Sequence, residues 1–223
     1  VLWCCMYSIV YLVSFDTMFL CPMHTVPVVC DDIYSALTIY RDDIQFGHDQ
    51  TVRLMNEGLY PDQIVEMIDL PDEIKNSPFL KEFYGTVRWS VKSIYNGYLG
   101  WFNGNPADLD PLSRTEEAIR FSKLLGGNEE LLLALKDAVN EEDMQWALQL
   151  SDRLIALDYE LEETMLLRKQ ALIYIGERSS NQNKRNYLLT SDIELNKDFK
   201  GFPESERSED VVTEISIETL FNI

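Results

Sequence analysis

The sequence predicts a mainly α-helical domain of stacked antiparallel helical hairpins, preceded by an apolar strand remnant. Three observations carry this reading. Between Ile33 and Met55 apolar residues recur every three or four positions, the period of one helix face. Helix start and stop signals then follow one another at short intervals down the chain. Finally, Asp143–Gly176 forms a unit of 34 residues, the length of a tetratricopeptide repeat, with small residues at Ala147 and Ala156. A single unit is no array, so the repeat likeness is weak.

Residues 1–22 are apolar and rich in β-branched and aromatic side chains. They lack the basic start and small-residue cleavage site of a secretory signal. Val1–Phe15 is short for a membrane span. The expectation is buried strands at the end of a sheet that began upstream; a membrane anchor and a gene-model artefact are the alternatives.

From Asp31 the pattern is helical, with Ile33, Leu37, Tyr40, Ile44, His48, Val52 and Met55 on one face. Gly58 sits where a C-terminal cap belongs. Pro61 opens a shorter helix that turns Ile64, Val65 and Ile68 inward. Leu70-Pro71 and Ser77-Pro78 end regular structure. Thr86–Phe102 reads as a helix whose stripe includes Val87, Val91, Ile94, Tyr95, Tyr98, Leu99 and Phe102. Residues 103–111, rich in Asn, Gly, Asp and Pro, form a loop.

Ser113-Arg-Thr-Glu116 is a capping box, and Gly126-Gly127 stops the helix it starts. Asn128 is expected to cap Glu129–Val139. Helices are then expected near Glu142–Leu157, Leu161–Ile175 and Asn181–Leu195, the first with Trp146, Leu148, Leu150, Leu154 and Leu157 as its stripe. Past Asn196 the chain turns acidic and Ser-rich, a linker by composition. Pattern returns at Val211–Phe221 and stops, as expected of a cut chain.

Charge narrows the function classes. Asp and Glu number 38 against 19 Lys and Arg, a net charge of -19. Nonspecific nucleic-acid binding needs the opposite balance, because cationic side chains must displace phosphate counterions. Anionic membrane surfaces are disfavoured for the same reason. Cys4, Cys5, Cys21 and Cys30 all precede residue 31, which excludes a disulfide framework for the helical part. Their spacing fits no zinc knuckle.

No complete catalytic or metal constellation is present. The chain has no HxHxD, HExxH, CxxC, GxGxxG or GxSxG pattern. Its two histidines are His24, after an apolar run in Met23-His-Thr-Val-Pro27, and His48, on the inward face of the first long helix. His24 is read either as a metal ligand at a strand end or as a structural histidine. His48 is read as a satisfied core histidine, bonded to a carboxylate or carbonyl. Asp42-Asp43 and the other acidic pairs read as solvated faces.

A series of short motifs runs in order along the chain: Tyr40-Arg-Asp42, His48-Asp-Gln-Thr-Val-Arg53, Met55-Asn-Glu-Gly58, Phe83-Tyr-Gly-Thr86, Lys92-Ser-Ile-Tyr95, Tyr98-Leu-Gly-Trp-Phe-Asn-Gly-Asn-Pro106, Gly126-Gly127, Trp146-Ala147 and Arg185-Asn-Tyr-Leu-Leu-Thr190. In order and spacing they resemble those of the type III linear alkylsulfatases, zinc enzymes of the metallo-β-lactamase superfamily. The resemblance spans roughly His24 to Leu195, and lies chiefly with that family's helical dimerisation domain. It implies three parts here. Residues 1–30 would be the end of a metallo-β-lactamase-type catalytic domain. Residues 31–196 would be the dimerisation domain. Residues 197–223 would be an acidic linker and the start of a sterol-carrier-type lipid-binding domain.

The resemblance further implies zinc, a homodimer, and an alkyl sulfate such as dodecyl sulfate as substrate. His24 matches the family's His-x-x-Pro, whose His is the last zinc ligand. Tyr84 and Tyr95 are the substrate-binding candidates, with core aromatics as the other reading. The family's His-x-His-x-Asp-His motif is missing, so no catalytic residue is assigned and this stretch alone is expected to be inactive. Trp89 stands where relatives often have a His. A stand-alone dimerisation module without catalysis is the alternative function.

Overall fold

The computed structural model describes residues 2–15, 17–21, 27–29, 31–196, 199 and 201. Helix dominates these residues, as expected. The apolar run at the N-terminus is the first correction: Leu2–Val13 is a helix, α1, and not a pair of strands. No Gly or Pro breaks the run, and a helix satisfies its own backbone groups where a strand needs a neighbour. Strand character is confined to β1 (Phe19–Leu20) and β2 (Val28–Val29), paired antiparallel with Phe19 opposite Val29. No helix among the described residues is long and apolar enough to cross a membrane.

Helix α2 (Asp31–Asn56) is the spine of the first layer. At 1.5 Å per residue its 26 residues span about 39 Å. Its first turns bury Ile33 and Ala36 against Leu20, Val28 and Phe79. Further along, the buried face departs from the expected stripe: Thr51 and Leu54 are inside, while Tyr40 is half exposed. A polar residue is tolerated at 51 because its hydroxyl donates to the Gly47 carbonyl at 2.6 Å.

The end of α2 is a Schellman turn. Gly58 takes φ +83°, its N–H donates to the Met55 carbonyl, and the Leu59 N–H reaches back to Leu54. Leu59 thereby packs on the core formed by Leu54, Ile64, Val91 and Tyr95. Ile64 comes from α3 (Pro61–Met67). Val91 and Tyr95 come from α5 (Val87–Leu99), capped by the Thr86 hydroxyl, which accepts from the Trp89 N–H. Between them lies only the single turn α4 (Asp72–Lys75).

The second half is a right-through series of helical hairpins. It comprises α6 (Arg114–Leu125), α7 (Asn128–Asn140), α8 (Met144–Ala156), α9 (Leu161–Arg178) and α10 (Gln182–Glu194). Ser113 and Glu116 form the expected capping box. Asn128 is not a cap: it begins α7, and its side-chain oxygen accepts from the Ser122 hydroxyl at 2.5 Å. Gly126 at φ +109° has already turned the chain, leaving Gly127 at the cap position.

Leu131, Leu135, Ala147, Leu150, Leu154 and Ala171 form the core of these hairpins, all fully buried. Trp146 lies at its margin, 38% exposed, although the expected stripe included it. The small Ala147 occupies the inward position instead. Gly176 allows α10 to lie close on α9, since a Cβ there would meet Leu189 at 2.9 Å.

Candidate functional site

A cleft of about 760 Å³ opens between α2, α5 and the irregular segment Ile68–Val87. Ile44, Ile68, Leu80 and Ile94 give it apolar walls, and Asp43, His48, Lys81 and Glu82 supply polar groups. A pocket with mostly apolar walls and a few placed polar groups suits a small amphipathic ligand.

Asp43 is the titratable group most affected by this site. Burial pushes its carboxyl above the ordinary range, and the Glu82 carboxylate adds to the push. Two carboxylates thus share one end of a partly dry cleft. His48, also on the lining, is fixed at both nitrogens. Nδ1 lies 2.8 Å from Asp49 Oδ1, and Nε2 lies 2.7 Å from the Tyr98 hydroxyl. It is the satisfied buried histidine that its helix position predicts.

The wall from Glu82 to Gly85 is held from outside. Four consecutive carbonyls accept hydrogen bonds from three consecutive residues at the start of α10. The Asn181 amide donates to Glu82 at 2.9 Å and to Gly85 at 3.3 Å. The Gln182 backbone N–H donates to Phe83 at 2.6 Å, and the Asn183 side chain donates to Tyr84 at 2.9 Å. Asn181 is also the N-cap of α10, accepting from the Lys184 N–H. The pattern of the sequence showed a helix start here but gave no sign of this strap, because it joins residues 99 apart.

The residues singled out from the sequence are not gathered at one point. Tyr84 lines the cleft. Tyr95 does not: it is 4% exposed, faces the core, and donates its hydroxyl to the Asn103 carbonyl. Its geometry makes it a support for the loop that follows α5. Gly104, at φ +89°, packs beside it: an added Cβ would lie 3.3 Å from Tyr60 Cε1 and 3.3 Å from the Tyr95 hydroxyl oxygen. Trp89 sits in a notch against Tyr187 and Leu188 of α10, away from the cleft. His24 lies outside the described residues. Among the described residues no group of three or more His, Cys, Asp or Glu side chains could hold a metal ion. Asp43, His48, Asp69 and Glu82 all line the cleft, but no three of them group closely enough to hold a metal ion.

Residues 60–198 match the sequence model of the alkyl sulfatase dimerisation family. The chain belongs to that family. The alkyl sulfatase dimerisation domain therefore accounts for α3 to α10, that is, for the α5 side of the cleft and the hairpins behind it, while α2 on the other side precedes the matched residues.

Similar proteins extend the likeness on either side. A linear primary-alkylsulfatase from a Pseudomonas strain is 40% identical over 190 residues, covering 84% of this chain and 36% of that protein. An (R)-specific secondary-alkylsulfatase of Pseudomonas is 31% identical over 166 residues, 74% of this chain and 25% of that protein. The solved structure of a stereoselective inverting sec-alkylsulfatase from Pseudomonas superimposes with a TM-score of 0.81 at 28% identity, covering 93% of this chain and 33% of the other. The dimerisation-domain chain thus spans between a quarter and about a third of the length of these relatives.

Proposed function

We propose that this chain is the dimerisation and active-site-capping part of a zinc-dependent linear primary-alkylsulfatase. The match to the dimerisation family over residues 60–198 carries the reading. The whole reaction would be hydrolysis of a long-chain alkyl sulfate, adding water and releasing an alcohol and sulfate. In this reading the zinc chemistry belongs outside the described residues. His24 is the one ligand candidate that this chain contributes.

The chain's own residues supply shape and exclusion of water. Ile44, Ile68, Leu80 and Ile94 receive the apolar tail, and Tyr84 lines the same wall segment as Lys81 and Glu82. Ordering a tail against fixed walls removes apolar surface from water, about 0.8 kcal/mol per buried methylene. With a net charge of -19, the chain needs a local cation for an anionic head group; Lys75 and Lys81 both line the cleft, Lys75 paired with Asp69, which leaves the role to Lys81.

Self-association is the testable part for the chain alone. Purified protein is expected to run as a homodimer and to release no sulfate from dodecyl sulfate. Turnover with stoichiometric zinc would overturn the assignment of catalysis to another part. The second reading is a dimerisation module that never meets a catalytic domain. Sequencing the transcript upstream of Val1 separates the two: a His-x-His-x-Asp-His motif there supports the enzyme.

A further inference from the structure

We infer that Asn181, at the start of α10, is a positioning residue that sets the shape of the cleft wall at Glu82–Gly85. The inference rests on the reading of the cleft as the ligand site. The wall has little structure of its own. Between α4 and α5, the backbone bonds within 80–85 are limited to Phe83 N–H to Lys81 and a long one from Leu80 to Ser77, at 2.7 and 3.5 Å. Yet residues 80–87 line the cleft without interruption. An irregular segment keeps one conformation only if its polar backbone groups find partners. Here four carbonyls in a row find them in Asn181, Gln182 and Asn183.

Asn181 is the centre of this arrangement. Its side chain grips the first and last of the four carbonyls, and the residue is 6% exposed. The same side chain caps α10 through Lys184. The strap and the cap are therefore one device, and the hairpin stack behind the cleft fixes the wall in front of it. Substrate position depends on a helix that contributes no residue to the cleft lining.

The cap and the strap separate chemically. Asn181→Ser keeps an oxygen that can accept from Lys184, but loses the amide donors to Glu82 and Gly85. The full chain and this variant are compared by amide hydrogen exchange and by calorimetric titration with octyl sulfate below its micelle concentration. We expect the Gln182 amide, which bonds Phe83, to exchange at least about ten-fold faster in the variant, with Lys184 unchanged. We expect octyl sulfate to bind about ten-fold more weakly, since each lost hydrogen bond to a buried group changes an equilibrium by about that factor.

An Asn181→Ser protein with wild-type exchange at Gln182, or with wild-type octyl sulfate affinity, overturns the positioning role. Faster exchange at Lys184 along with Gln182 would mean that the cap rather than the strap had been lost, and would also overturn it. Failure of the unaltered chain to bind octyl sulfate sinks the cleft reading instead; exchange at Gln182 then decides the strap by itself. Should Asn181→Ser not fold, Asn183→Ala removes only the donor to Tyr84 from an exposed side chain, and the same two readouts apply with smaller shifts.

Discussion

His48 on α2 and Tyr98 on α5 meet at 2.7 Å through the imidazole Nε2 and the phenolic hydroxyl, fifty positions apart in the chain. The Asp49 carboxylate can only accept, so Nδ1 donates to it, and Nε2 is left to the Tyr98 hydroxyl. The contact ties the long helix to the helix that walls the cleft. Tyr98→Phe takes that hydroxyl from a buried ring nitrogen. It should cost about 1–3 kcal/mol of unfolding free energy, read from urea denaturation with an unchanged slope. An unaltered midpoint would show that water replaces the hydroxyl.

Asp43 gives a pH signature. Its folded carboxyl titrates above the unfolded value of 3.8, through burial first and Glu82 second. A group that binds its proton more tightly when folded favours folding while protonated, and the benefit fades as pH rises through the folded value. At neutral pH the charged Asp43 therefore opposes folding. Asp43→Asn should raise the melting temperature at pH 7, and the two proteins should converge below pH 3.8. Equal melting temperatures at pH 7 would contradict the buried placement of this carboxyl.

Gly176 tests the packing that carries α10. Alanine there would bring a Cβ to 2.9 Å from one Leu189 methyl. Overpacking costs about 1–3 kcal/mol, against about 1 kcal/mol gained in helix propensity. Gly176→Ala should lower stability, and the Gly176→Ala/Leu189→Ala pair should be less destabilised than the sum of its parts. Strict additivity in that double-mutant cycle would mean that α10 moves away freely.

The core of the hairpin stack provides a reference. Leu135 and Leu150 are fully buried among α7, α8 and α9. Leu135→Ala should cost about 2–5 kcal/mol in thermal or chemical unfolding, because a cavity adds to the lost transfer energy. Leu124→Ala, at a side chain 85% exposed in the single chain, should cost almost nothing in the monomer's stability. A large loss at Leu124 would place it inside the dimer contact.

What the sequence disclosed was what local chemistry decides. Thr86, Ser113 and Asn181 start helices because their side-chain oxygens meet the next turn's N–H groups. Gly58 and Gly126 stop them because a positive φ suits a residue without Cβ. The inward-facing His48 was legible for the same reason, as its neighbour Asp49 is one of its partners. Long-range contacts were not legible. Thr51 and Leu54 face inward because of where α3 and α5 fall, and no residue of α2 alone reveals that. The family motif Phe83-Tyr-Gly-Thr86 marked the cleft wall, but Asn181 and Asn183, which hold it, lie on the last helix. Residues 2–13 misled through β propensity, which reports fit to a pleated surface and is overridden here by a helix that bonds its own backbone.

The most direct test of the account is the solution mass of the purified chain by light scattering at micromolar concentration, alongside an assay for sulfate release from dodecyl sulfate. The account predicts a species of twice the 25.9 kDa chain mass and no sulfate release. A clean monomer across that range, even with every helix formed, would contradict it.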